Sequence, residues 1–132
     1  MILNDEQRMV QDMLRDFSQS QLKPTAAERD KSHAFPAQEL KALAELGTLG
    51  MTVPEEWGGT GLNATALVIA LEEIAAADGA ISTIVSVHNS LPCGILLKYG
   101  TVAQKQKFLT KLASGEWLGC FCLTEPEAGS DA

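Results

Sequence analysis

A mainly helical bundle that closes on a single strand is the fold this sequence predicts, on three observations. Two capping boxes, Asn4-x-x-Gln7 and Thr101-x-x-Gln104, each stand directly ahead of an apolar stripe. Gly47 and Gly115 follow the last periodic residues of two stripes, where a left-handed closing conformation is cheapest for glycine. Residues 117–123 form an uncharged run bounded by Gly115-Glu116 and Glu125-Pro126. That length and those boundaries favour a strand buried on both faces over another helix.

The elements follow in chain order. Behind Asn4, the residues Val10, Met13, Leu14 and Phe17 recur at helical spacing, so a first amphipathic helix is expected. It should fade near Leu22, because Pro24 cannot continue it. The polar stretch 25–33 then reads as an exposed connection. Pro36 at a first helical position opens a second helix that carries Leu40, Leu43 and Leu46 inward. Residues 51–61 read as an irregular loop. Its glycines have neither GxGxxG nor Walker spacing, which favours turns over a nucleotide-binding loop. Asn63 caps a third helix to about Ala77, with Leu67, Val68, Ile69, Leu71 and Ile74 covering most of its circumference, as in a buried helix. A fourth helical segment runs from about Ile81 to Tyr99, and Pro92 and Gly94 should bend or locally break it. The fifth follows Thr101, with Phe108, Leu109 and Leu112 inward and lysines opposite.

Length and composition bound the function. A chain of 132 residues makes about one domain. Its 45% hydrophobic and 20% charged residues are those of an ordinary globular chain. Ten basic against seventeen acidic residues leave a net charge of −7, and a basic patch with interleaved aromatics is missing, so nucleic acid is not an expected partner. The three cysteines, Cys93, Cys120 and Cys122, are odd in number and contain no CxxC pair, which points to a reducing compartment. No uninterrupted apolar run of membrane-spanning length exists, so no membrane span is expected. The first residues lack a basic region ahead of an apolar stretch, so no secretory signal is expected and the cytoplasm is the default. Five helices and one orphan strand look like the opening part of something larger, since a lone strand cannot satisfy its own backbone groups.

Most conventional constellations fail. His33 and His88 lie far apart, with no further ligand at metal spacing, so no metal site is expected. Cys120 and Cys122 alternate on the expected strand and face opposite sides. Glu72 and Glu73 are adjacent on a helix and point about 100° apart, unlike cooperating carboxylates. His88 reads as a satisfied interior histidine. The informative stretch is Phe121-Cys122-Leu123-Thr124-Glu125-Pro126-Glu127-Ala128-Gly129-Ser130-Asp131. It delivers a hydroxyl at a strand end, then a tight turn, then a glycine beside a second hydroxyl. Free backbone donors there can read the polar edge of a flat heterocycle. Gly129 would let a phosphate approach the backbone, and Ser130 could donate to it.

This stretch resembles the flavin-binding signature of the acyl-CoA dehydrogenase family, Leu-Thr-Glu-Pro-x-Ala-Gly-Ser-Asp. Residues 53–61 resemble that family's Pro-Glu-x-x-Gly-Gly-x-Gly loop, with Trp57 where tyrosine is commoner. Glu72-Glu73-Ile74, Gly100-Thr101 with Gln104-Lys105, and Ser114-Gly115-Glu116 resemble further family motifs in the same order. Residues 86–91 look most like the short-chain branch. The resemblance implies an N-terminal helical domain over residues 1–115. Residues 116–132 would be the first strand and flavin-binding turn of a middle β-domain that is otherwise absent.

It also implies roles. Phe121, Leu123 and Thr124 would lie along the ring of FAD, with Thr124 on its pyrimidine side. Gly129 and Ser130 would meet the flavin phosphates, and Ser130 would also touch the bound thioester. His88 and Leu91 would help line the acyl pocket. In such enzymes a glutamate from the C-terminal helical domain removes the α-proton, so no residue of this chain is a catalytic candidate. The implied parent is an FAD-dependent oxidoreductase of fatty acid β-oxidation, converting an acyl-CoA to the 2,3-enoyl-CoA. Electron-transfer flavoprotein would be its acceptor, and it would form a homo-oligomer, usually a tetramer. Its place would be the cytoplasm, or the mitochondrial matrix for a eukaryotic mature chain. The chain alone would be inactive and hold flavin poorly. Two other readings are an acyl-CoA oxidase or flavin monooxygenase on the same scaffold, and a non-catalytic helical interaction module.

Overall fold

Asn4 starts the first helix as expected. Its side chain accepts from the Gln7 amide at 2.8 Å while the Gln7 side chain accepts from the Asn4 amide at 3.1 Å, an arrangement worth about 1 kcal/mol. The computed structural model describes residues 2–131. Helix α1 spans Asp5–Phe17 and buries Gln7, Val10 and Leu14. Met13 is a correction, since it is 39% exposed. It stands roughly 60° to one side of Val10 at 100° per residue, and Gln7 stands as far to the other. The helix is turned toward Gln7.

Pro24 does not end the helix. One π-turn, Ser18–Leu22, leads straight into α2, Lys23–Ser32, with the Lys23 amide donating to the Ser18 carbonyl five residues back. Proline has no amide to offer, and at the start of α2 none is required of it. The stretch read as a connection is therefore helical, although it buries no residue. Arg29 holds it down, donating to Asp78 at 2.8 Å, Glu39 at 2.9 Å and the Leu22 carbonyl at 2.8 Å.

Helix α3 spans Ala37–Glu45, so Pro36 precedes it as the cap, its carbonyl accepting from the Leu40 amide at 3.0 Å. Leu40 and Leu43 are buried, and Leu46 packs half-buried against the core. Gly47 closes the helix at φ 78°. Two short 3-10 turns, Thr48–Gly50 and Glu55–Trp57, carry the chain to α4, Ala64–Ala75, capped by Asn63. Val68 is 53% exposed, so the apolar girth of α4 exceeds what the bundle covers.

Helix α5, Gly79–His88, is capped by Asp78, runs through a π-turn at Asn89–Cys93 and continues as α6, Gly94–Tyr99. Pro92 sits inside that π-turn, a wide turn being one of the standard ways a helix accommodates proline. The stretch Gly79–Tyr99 is thus one 21-residue helix, long and apolar enough to cross a membrane by length and composition alone. His88 and Asn89 in its middle are fully buried and bonded to other elements, as in the central helix of a bundle. After Gly100, α7 (Val102–Gln104), a π-turn (Lys105–Leu109) and α8 (Thr110–Ala113) complete the helices, with Thr101 and Gln104 forming the expected capping box. Gly115 ends them at φ 76°.

The main core joins α1, α3, α4 and α5 through Leu14, Leu43, Leu49, Ile74 and Ile81. A second cluster of Val53, Cys93, Leu109, Leu112 and Ala113 seats the last helices. Residues 117–123 correct the strand expectation. Among the described residues they join no β-ladder, and the β-type pairing there is an isolated bridge between Glu125 and Ala128. Leu118, Phe121 and Leu123 are 42–50% exposed. A ladder needs a neighbouring strand, and residues 2–131 supply none.

Candidate functional site

The exposed segment is fixed to the bundle at its beginning and released after Gly119. The Trp117 amide donates to the Lys111 carbonyl at 3.0 Å. The Trp117 ring stands 6.3 Å from that of Phe108, and the Lys111 ammonium lies 4.5 Å over its face while bonding Glu116 at 2.8 Å. Two residues on, the Gly119 amide donates to Nδ1 of His88 at 3.0 Å. A side chain at Gly119 would press on Pro92, with its Cβ 2.7 Å from Pro92 Cβ. The chain therefore leaves the bundle beside the π-turn that carries Leu91.

His88 is held on both sides. Nε2 is 3.0 Å from the Leu112 carbonyl, which can only accept, so Nε2 carries the proton and Nδ1 is the acceptor for Gly119. Burial depresses its pKa below the ordinary value, and backbone hydrogen bonds at Leu112 and Leu49 oppose that shift. The structure thus finds the satisfied interior histidine that the sequence suggested. Asn89 beside it faces the other way. Its side chain donates to the Thr48 and Val85 carbonyls at 2.8 and 3.0 Å and accepts from the Met51 amide at 3.0 Å. Cys93 is buried, and burial pushes its thiol up to about 12, so it is inert as a nucleophile near neutral pH.

Beyond Gly119 the chain is open. Phe121 and Leu123 are 45% and 50% exposed. Among the described residues, no amide from 120 to 124 pairs with another backbone group. Thr124 and Ser130 are exposed. Between them Glu125 and Ala128 bond each other at 2.8 and 3.2 Å, closing a turn with Pro126 at its favoured second position. No atom lies within 4 Å of where a Cβ on Gly129 would stand. The segment offers two exposed apolar side chains, unpaired donors, two hydroxyls and an unobstructed glycine, a set suited to a flat heterocycle with an anionic tail.

Of the other candidates, Leu91 is half-buried on the π-turn. Glu73 pairs with Arg15 of α1 at 2.7 Å while Glu72 is exposed, so the two glutamates do not act on one site. Cys120 and Cys122 are exposed and free. His33 is exposed at φ 55°. It lines a cleft of about 560 Å³ between α2 and the start of α5, which shares no lining residue with His88, Leu91 or residues 117–131. Among the described residues, no three His, Cys, Asp or Glu side chains come together. The sequence reading missed Gly119, whose role is a single backbone donor reaching a histidine 31 residues away. No local pattern signals such a contact.

Comparison with known proteins gives a consistent result. The family profile described as acyl-CoA dehydrogenase, N-terminal domain, matches residues 4–116. The mitochondrial short-chain specific acyl-CoA dehydrogenase of Mus musculus is 45% identical over 130 residues, which are 98% of this chain and 32% of that protein. Butyryl-CoA dehydrogenase from Megasphaera elsdenii superposes with a TM-score of 0.94 at 35% identity, covering 99% of this chain and 35% of that one. A glutaryl-CoA dehydrogenase from Mycobacterium smegmatis in complex with FADH2 superposes at 0.91 with 35% identity, covering 98% and 33%. The chain spans about a third of the length of the relatives it matches.

Proposed function

This chain belongs to the acyl-CoA dehydrogenase family, and from that premise we propose that it is the N-terminal helical domain, residues 1–115, and the first flavin-contacting segment, residues 116–132, of an FAD-dependent enzyme oxidising acyl-CoA to 2,3-enoyl-CoA. The observation that carries this reading is the open segment from Phe121 to Ser130, whose sequence resembles the family's flavin signature and whose groups are not consumed by the chain's own packing.

When bound, the flavin supplies the acceptor for the β-hydride. Phe121 and Leu123 lie along the ring and exclude water from it, and Thr124 hydrogen-bonds its pyrimidine side. Gly129 admits the phosphates to the backbone, and Ser130 donates to them and touches the thioester. The turn that carries Leu91, one helical turn past His88, lines the acyl pocket. These residues bind and orient; none removes the α-proton, which falls to a glutamate of the C-terminal helical domain in the family. Short acyl chains are the proposed substrates, on the identity to the mouse short-chain enzyme. An electron-transfer flavoprotein as acceptor, a homo-oligomer and a cytoplasmic or mitochondrial matrix location complete the proposal.

The test is to express the complete reading frame that contains these residues and add butyryl-CoA anaerobically. A yellow protein that bleaches supports the reading. A colourless product, or a flavin that no acyl-CoA reduces, sinks it. The 132-residue chain alone should turn over no acyl-CoA.

A further inference from the structure

We propose that His88 is a positioning residue: as the neutral imidazole protonated at Nε2, it fixes where the segment from Phe121 to Ser130 leaves the bundle by accepting the Gly119 amide. The functional weight of this contact rests on the flavin reading above; the contact itself does not.

The geometry allows one protonation state. Nε2 faces a carbonyl and must donate, whereas Nδ1 faces an amide and must accept. The opposite tautomer would set two donors against each other at Gly119 and two acceptors at Leu112. The doubly protonated ring would keep Leu112 and repel Gly119. The contact also has no slack, because Gly119 lies against Pro92 and Leu112, where a Cβ would be 2.7 and 3.1 Å from their side-chain atoms. A backbone donor and a missing side chain at one residue define one place for the chain. From the next residue to Thr124, no described amide pairs with another backbone group.

Protonation should therefore release the segment. The other titratable groups on its own helix are Cys93, Lys98 and Tyr99; Lys111 stands on α8, and Glu116, Cys120, Cys122, Glu125, Glu127 and Asp131 on the segment, with no ionisable residue in the Thr48–Gly50 turn. None of them is a cause of its shift, which comes from burial and backbone hydrogen bonds. Folding thus favours the neutral ring. The anchor is complete above the ordinary histidine pKa of about 6.5, and weakens as pH falls from there toward the lower value in the folded chain.

Two substitutions separate the bonds. His88→Asn keeps an oxygen near the Nδ1 position and loses the donor to Leu112. His88→Gln keeps a donor near Nε2 and loses the acceptor. Nitrogen-15 NMR of the 132-residue chain should find Nε2 protonated and Nδ1 bare at pH 7.5, and a Gly119 amide protected from exchange. That amide should exchange roughly tenfold faster in His88→Gln but not in His88→Asn, and faster in the wild type as pH falls below the ordinary histidine pKa of about 6.5, after correction for intrinsic exchange. Backbone order from 119 to 124 should fall with it. A ring protonated at Nδ1, a Gly119 amide that exchanges freely in the wild type, or equal effects of the two variants would overturn the proposal. FAD titration of the full reading frame tests the flavin reading separately, so failure of one does not imply failure of the other.

Discussion

Residues 47–61 and residues 124–131 are both turns built on glycine and proline, yet the chain fills the first and leaves the second open. In the first, the amides of Thr60, Gly61 and Leu62 donate back to Gly50, Val53 and Met51 at 2.7–2.9 Å, and Asn89 clamps Thr48 and Met51 from the central helix. A Cβ on Gly59 would lie 2.0 Å from the Val53 carbonyl oxygen and 2.6 Å from that of Gly50. In the second, a Cβ on Gly129 would meet nothing. Both segments resemble family motifs, so resemblance does not separate them. What separates them is whether the space around each glycine is already spent: the first serves folding, and the second is free to meet something else.

Gly59→Ala tests the filled loop hardest. The clash is with backbone on two sides, which cannot rotate away as a flexible side chain would, so the loop must open. Overpacking of this kind costs roughly 3 kcal/mol or more. Urea unfolding of the variant should show that loss or an unfolded chain. A variant as stable as the wild type would mean that the loop is not packed as described.

Asn89→Ala comes next. It strands the Met51 amide and the Thr48 carbonyl in the interior, at a cost of roughly 3 kcal/mol, and the amides from 48 to 62 should lose exchange protection before the rest of the chain. Uniform loss across all helices would show instead that the loop has no separate clamp.

The sequence disclosed those parts of the fold whose causes are local. Asn4 with Gln7 and Thr101 with Gln104 bond within three residues, so their pattern is visible in any window. Gly47 and Gly115 mark backbone conformations that glycine alone adopts cheaply. The failures share one physical source, a cause located elsewhere in the chain. Helix α2 has no apolar stripe to betray it, and Arg29 secures it through Asp78, 49 residues away. Pro24 read as the end of a helix because a one-dimensional pattern has no place for a turn that widens by a residue, whereas at Pro92, where a bend or local break was expected, such a turn stands. The run from 117 to 123 has a strand's composition, but pairing belongs to two segments at once. The candidate site divides the same way. Residues 121–130 were singled out through resemblance, whereas their attachment at Gly119 became visible only with His88 placed against it.

Gly129→Ala has the smallest expected effect on folding and is the sharpest test of the comparison. The position has no neighbour to displace, so urea unfolding should change by less than about 0.5 kcal/mol. Under the flavin reading, the added methyl stands where the cofactor's phosphate approaches the backbone, and FAD retention by the complete reading frame should fall while its folding does not. The two glycines then give opposite results, with Gly59→Ala losing stability first and Gly129→Ala losing cofactor alone. Should Gly129→Ala destabilise the 132-residue chain as Gly59→Ala does, the second turn would be packed after all. Unchanged flavin retention would instead place the phosphates away from Gly129.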